Sequence, residues 1–359
     1  MKYTIESLTK VIVISFCAIS ATTFGLKPAL AQSSLQLYGQ IDEWVGARKW
    51  PGGQTAALLA GGGLSTSYWG LKGSENLGNG SSAIFALESF FQPQNGGYGS
   101  YPGDTFFSRN AYVGIESPYG TLTAGHLTTQ LFISTLLFNP FVDSYVFSPM
   151  IQHTYLGLGT FPSYNTDQGS AGGFAWNNAL QYSTPAFGGW SGAIMYGLGN
   201  AAGQNGAKKW SGEVTYSGSE LSATAVYQYV NFNAQPGDLS SLVTGLKSQS
   251  IGQIGLSYDL KFVKFFGQYM YTCDTQQSGS WHVQTGQGGV AVPLGVGTLM
   301  ASVAYSRDSG GLDQTRKSAA IGYDYPLSKR TDVYAAYLYD HFNKQSSGQT
   351  YGVGIRAKF

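Results

Sequence analysis

Apolar and polar residues alternate along most of this chain, most cleanly in its last ten residues. Tyr351, Val353, Ile355, Ala357 and Phe359 fall on one parity, and Gly352, Gly354, Arg356 and Lys358 on the other. Successive side chains of a strand point to opposite faces, so this segment has an apolar, aromatic face and a small or cationic one. Near the start, Leu35, Leu37, Gly39 and Ile41 alternate in the same way with Gln36, Tyr38, Gln40 and Asp42, placing a polar face inward. The same reading predicts strands over 34–45, 65–75, 82–91, 107–116, 121–125, 178–184, 190–198, 209–216, 221–230, 250–259, 261–272, 282–292, 297–306, 316–325, 331–339 and 350–359. That makes sixteen strands, with short turns such as Ser117-Pro118-Tyr119-Gly120 alternating with longer connections. An even number of strands near ten residues each, with short turns on one side only, is the pattern of an antiparallel transmembrane β-barrel.

One connection breaks the rhythm. The residues between His126 and Ala175 show no alternation, yet they include Phe132, Phe138, Phe141, Tyr145, Phe147, Tyr155, Phe161, Tyr164 and Phe174. Loops above about 15 residues are usually functional or disordered, and this one is too aromatic for disorder. The expectation is a long third loop folded into the pore, its rings packed on the inner wall and its bulk narrowing the passage.

Beyond the N-terminal segment no window approaches the ~18 consecutive apolar residues of a membrane helix, so a membrane-embedded chain must be a closed barrel. Residues 1–31 have the form of a cleaved signal peptide: Lys2 and Lys10, an apolar run from Val11 to Phe24, and small residues in Ala29-Leu30-Ala31 before Gln32. Residues 32–359 then form the exported barrel, with 17 basic against 18 acidic residues and Cys273 as the only thiol. That balance excludes nucleic acid as a natural partner. Glycine, at 50 of 359 residues, is about twice its usual share.

Catalysis finds no support. His126, His153, His282 and His341 are scattered, and neither a Gly-x-Ser-x-Gly elbow nor a His-Glu-x-x-His motif occurs. The sequence calls for no cofactor and no metal. A secreted β-sandwich would share the alternation but would leave the outward aromatic terminus unexplained.

The chain closely resembles the general porins of beta-proteobacteria, the Gram-negative porin family. The resemblance runs from Gln32 to Phe359 through Ser33-Ser34-Leu35-Gln36-Leu37-Tyr38-Gly39, Gly70-Leu71-Lys72-Gly73-Ser74-Glu75-Asn76-Leu77-Gly78, Phe85-Ala86-Leu87-Glu88, Asn177-Asn178-Ala179-Leu180-Gln181-Tyr182, Leu327-Ser328-Lys329-Arg330-Thr331 and Gly354-Ile355-Arg356-Ala357-Lys358-Phe359. It implies a trimeric outer-membrane channel for passive diffusion of small hydrophilic solutes and ions, its third loop facing an arginine cluster on the opposite wall. A substrate-preferring channel, for a sugar or an aromatic acid, is the alternative, and a barrel enzyme a more distant one. Of the four wall cations that the resemblance implies, only Arg109 survives; Tyr68, His126 and Ala175 occupy the other three positions.

The candidate constriction therefore comprises Arg109, either aligning solutes or pairing with Glu88, together with Tyr68, His126, Ala175 and Lys72. Asp143 and Asp167 of the long loop would supply an opposing negative edge, or be merely solvated. With three formal cations missing, the pore is expected to be less anion-selective than its relatives.

Overall fold

The computed structural model describes residues 34–156, 173–199, 208–232, 245–277, 279–310 and 313–359. The expected signal peptide and Asp167 lie outside the described residues. The chain forms β1 (Ser34–Lys49), β2 (Thr55–Gly61), β3 (Tyr68–Gly78), β4 (Ser81–Gln92), β5 (Gly97–Tyr98), β6 (Asn110–Ser117) and β7 (Gly120–Thr128). Two short helices follow, α1 (Gln130–Leu137) and α2 (Pro149–Thr154). Then come β8 (Ala175–Ser183), β9 (Trp190–Gly197), β10 (Lys209–Ser217), β11 (Leu221–Asn231), β12 (Leu246–Asp259), β13 (Lys264–Gln276), β14 (Ser280–Leu294), β15 (Gly297–Ser309), β16 (Thr315–Pro326), β17 (Thr331–Phe342) and β18 (Gly348–Lys358).

All the strand pairings are antiparallel, and β1 pairs with β18 from Gln40↔Lys358 to Lys49↔Gln349, which closes the sheet on itself. The other edge of β1 is shared: β3 covers Ser34 to Gln40, and β2 covers Glu43 to Lys49. These two strands occupy one position in the wall, and β5 is a two-residue flap on β4. The wall is thus a closed barrel of sixteen antiparallel strands. Its height is uneven: β6 to β10 have 8 or 9 residues each, whereas β12 to β15 have 13 to 15.

The faces are reversed relative to a water-soluble protein. Along β12, Gln249, Gln253 and Ser257 are buried while Ile254 and Leu256 are 55% and 52% exposed. Val303, Ile321 and Val353 are likewise exposed, and Gln268, Thr285 and Ser302 buried, on their own strands. An apolar exterior around a polar interior is the arrangement that lipid demands.

The sequence pattern placed a strand start at Ser65, but residues 62–67 leave the wall and bend inward. The Asp42 carboxylate explains this, because it accepts the backbone N–H groups of Gly63, Leu64 and Ser65 at 2.9–3.0 Å. The Tyr334 hydroxyl donates to the same carboxylate. Likewise β6 begins at Asn110, so Arg109 precedes the strand.

The long connection carries the helices that the alternation analysis missed, each too short to show a helical period. Thr129 caps α1 by accepting from the Phe132 N–H, and Ser148 caps α2 ahead of Pro149. Both helices bond to the polar face of the wall. Gln253 Nε2 donates to Thr135 Oγ1 at 3.2 Å, and Gln268 Nε2 to the Phe138 carbonyl at 3.1 Å. Phe132, Met150, Ile151 and Tyr155 pack with Phe90 and Phe174 into a buried cluster.

Candidate functional site

Glu88 on β4 is the hub of the site. It is buried, and it accepts from Tyr38 on β1, from Asn110 on β6 at 2.6 Å and from Arg109, with which it forms an ion pair. Burying a carboxylate without partners is expensive, and these donors offset that cost. Arg109 lies with its guanidinium carbon 4.1 Å from the Tyr68 ring centroid. The tyrosine standing where the resemblance implies a second arginine thus offers Arg109 a π face in place of a like charge. The Lys72 ammonium lies 4.8 Å from the Tyr38 ring, on the inward parity of β3, and is exposed.

Arg109 and Asp143 line the same cavity, of about 660 Å³, one from the wall and the other from the long connection. Asp143 Oδ2 accepts from Ser65 Oγ at 2.9 Å, and Ser144 Oγ donates to the Gly63 carbonyl, so the inward bend at 62–67 and the loop tip hold each other. Just before Asp143, Val142 has φ +46°, a left-handed conformation that a β-branched residue tolerates poorly. Asn139 maintains it, with Nδ2 donating to the Val142 carbonyl at 2.9 Å and Oδ1 accepting from the Phe141 N–H. Burial pushes the Asp143 carboxyl above its ordinary value, against the opposing pulls of Ser65 and then Arg109. Aromatic rings line the cavity from both sides, among them Phe90 and Tyr112 of the wall and Phe132 and Tyr145 of the connection.

The other sequence candidates stand beside this cavity. His126 Nδ1 lies 2.6 Å from Asn177 Oδ1 and Nε2 is 3.2 Å from the Ser108 carbonyl, so the imidazole fastens β7 to its neighbours. Ala175 opens β8 opposite Thr128 and packs against the aromatic cluster. The structure brings Tyr68, Glu88 and Arg109 together, and Asp143 to the same cavity. Sequence reasoning missed Tyr38, Asn110, Ser65 and Asn139; the inward parity of Tyr38 on β1 was their one visible sign.

A second polar group ties the connection to β15 and β16. Arg316 is buried, bonds Asp340 through Nε and Nη2 at 2.9 and 2.8 Å, and donates to the carbonyl and side chain of Gln152. Next to it His153, fully buried, lies 2.6 and 2.7 Å from the hydroxyls of Ser306 and Ser318. Burial, and then Arg316, drive the imidazole well below its ordinary value, so it is neutral.

A closed barrel with a lipid-compatible exterior and a polar lumen defines an outer-membrane channel. The sequence profile described as Gram-negative porin matches residues 18–345, and the chain belongs to that family. It is 26% identical to an outer membrane porin protein of Bordetella pertussis, over 92% of this chain and 96% of that one. It is 27% identical to outer membrane porin protein 32 of Delftia acidovorans, over 92% and 89%. The anion-selective porin from Comamonas acidovorans superposes with a TM-score of 0.76 at 22% identity, covering 91% and 100%. In-vitro folded OmpT of Vibrio cholerae, in a trimer form, superposes at 0.66 with 15% identity, over 91% and 99%. The protein is a Gram-negative outer-membrane channel for passive diffusion.

Proposed function

We propose that the long connection narrows this channel and that the space between Arg109 and Asp143 is where solutes are sorted. The observation that carries the reading is the shared 660 Å³ cavity, with Arg109 already paired to Glu88 before any solute arrives. Counting Arg109 and Lys72 against Glu88 and Asp143, the fixed charge near the constriction balances, whereas one structural relative is named as anion-selective. Fixed charge between low-dielectric walls sets selectivity, so this pore discriminates weakly by charge and admits neutral solutes and cations readily. The rings on both sides favour solutes that combine an apolar face with polar edges, as a sugar or an aromatic acid does. The channel works as a homotrimer, as the trimer form of OmpT supports, after a signal peptide is cleaved before Gln32. The protein is a passive conduit with no catalytic step.

Single-channel recording with graded glucose or benzoate on one side tests the solute preference. The expected result is a concentration-dependent fall in conductance that saturates. A linear response through high concentrations would mark an unselective aqueous pore.

A further inference from the structure

Asp274 of β13 is buried with half of its carboxylate unanswered. It lies on the inner wall beyond the outward Tyr271, toward the end of the barrel from which the long connection leaves, and it is fully buried. Gln249, directly opposite on β12, donates from Nε2 to its Oδ1 at 2.8 Å. The other oxygen, Oδ2, is buried and has no hydrogen-bond partner among the described residues. None of the ion pairs among the described residues includes Asp274.

A second buried carboxylate stands nearby. Asp274 pairs across with Trp281 of β14, and Asp308 of β15 with Val283 on the other edge of that strand, so a single strand separates the two acids. Both have the inward parity, and Asp308, 1% exposed, is near enough for its charge to act on Asp274. Since Gln249 holds Oδ1 from the β12 side, Oδ2 is the oxygen left for the β14 side, where Asp308 stands. The Asp308 N–H donates to the Gln314 carbonyl at 2.9 Å, and the side-chain Oε1 of Gln314 is a further buried acceptor with no donor among the described residues. Arg316, on the inner face of β16, is already bonded to Asp340 and Gln152.

We propose that Asp274 and Asp308 hold a divalent cation of the calcium type across β14, with Gln249 orienting the first carboxylate and Gln314 contributing an amide oxygen. Buried carboxylates at close quarters repel, and a buried acceptor with no donor loses its hydration for nothing; a cation relieves both costs. The donor set decides which cation. Every available atom is a hard oxygen, which suits calcium, whose shell of about 6–8 oxygens is flexible and admits carbonyls and water. The soft donors of these strands, Cys273 and His282, have the outward parity, which disfavours zinc or copper. Among the described residues no group of three His, Cys, Asp or Glu gathers, so the amide and water complete the shell. Asp308 shares the inner face of β15 with Ser306, which bonds His153 of α2, so the ion braces the strands on which the long connection docks.

The test uses the full-length barrel refolded in detergent, free of anionic lipid, with terbium as the probe. Terbium takes the same oxygen ligands as calcium and emits when a nearby indole is excited, and Trp281, opposite Asp274, is placed to excite it. The expected result is a saturable emission that calcium displaces, with affinity weakened about tenfold or more by Asp274→Asn and by Asp308→Asn, and with a dimmer signal in Trp281→Phe. The wild-type melting temperature should rise with calcium and fall with a chelator, and in Asp274→Asn it should answer to neither, heat-shifted gel mobility showing that each variant is folded. Equal terbium affinity in the wild type and both asparagine variants would overturn the proposal. So would a melting temperature that ignores calcium and is raised by Asp274→Asn, which would mean that a proton rather than a metal ion relieves the pair.

Discussion

At the residue scale, the proposed sorting site sets Arg109 and Lys72 against Glu88 and Asp143. Glu88 holds Arg109, and removing its charge should release that hold. Glu88→Gln keeps the shape and leaves Arg109 and Lys72 facing only Asp143, so reversal potentials should move toward anions. Asp143 adds a pH dependence of predictable sign. Burial holds its carboxyl above the ordinary range, so it loses its charge earlier, as pH falls, than an open carboxylate would. Permeability should therefore shift toward anions at a higher pH than an ordinary carboxylate near 4 would give, and Asp143→Asn should erase that part of the titration. An unshifted midpoint would place Asp143 in open water. Arg109, Tyr68, Glu88 and Asp143 were all legible in the sequence. Their relations were not, because the Ser65 to Asp143 bond and the Tyr38 to Glu88 bond join residues far apart in the chain.

At the scale of elements, the strands followed from alternation because lipid outside and water inside write a period of two into every one of them. The inward bend at 62–67 was hidden, since Ser65 and Ser67 fit a strand equally well and the partners that divert them, Asp42 with Asp143 and Ser144, lie elsewhere in the chain. The loop's attachment was hidden too, resting as it does on His153 reaching Ser306 and Ser318 and on Arg316 of β16 reaching Gln152, pairs more than a hundred residues apart in the chain. Arg316→Met leaves Asp340 buried without its cation, and breaking such a pair costs about 3–5 kcal/mol. Its measurable result should be a lower melting temperature and noisier single-channel current. His153 sets a further pH effect. Docked, it stays neutral, but free it takes up a proton near 6.5, so docking stability is full above that value and falls as pH drops below it. Hydrogen exchange across 149–154 should rise in acid, and His153→Gln should flatten that rise. Phe359 follows β18, and its backbone bonds Gly39 of β1 at the closing seam. A chain ending at Lys358 should reach the outer membrane poorly, and normal levels of it would deny the terminal ring a part in assembly.

At the scale of the whole molecule, barrel, polar lumen and family membership agree on a passive channel, and the open matter is what its constriction favours. Mature protein should begin at Gln32 by intact mass and should migrate as an oligomer until boiled. The charge reading meets its most direct test in the zero-current potential across a planar bilayer under a tenfold salt gradient, for the wild type and for Arg109→Ala. Weak selectivity in the wild type, with a displacement toward cations in the variant, is the predicted result. A strongly anion-selective wild type would contradict the charge balance, and an unchanged potential in Arg109→Ala would remove that arginine from the constriction.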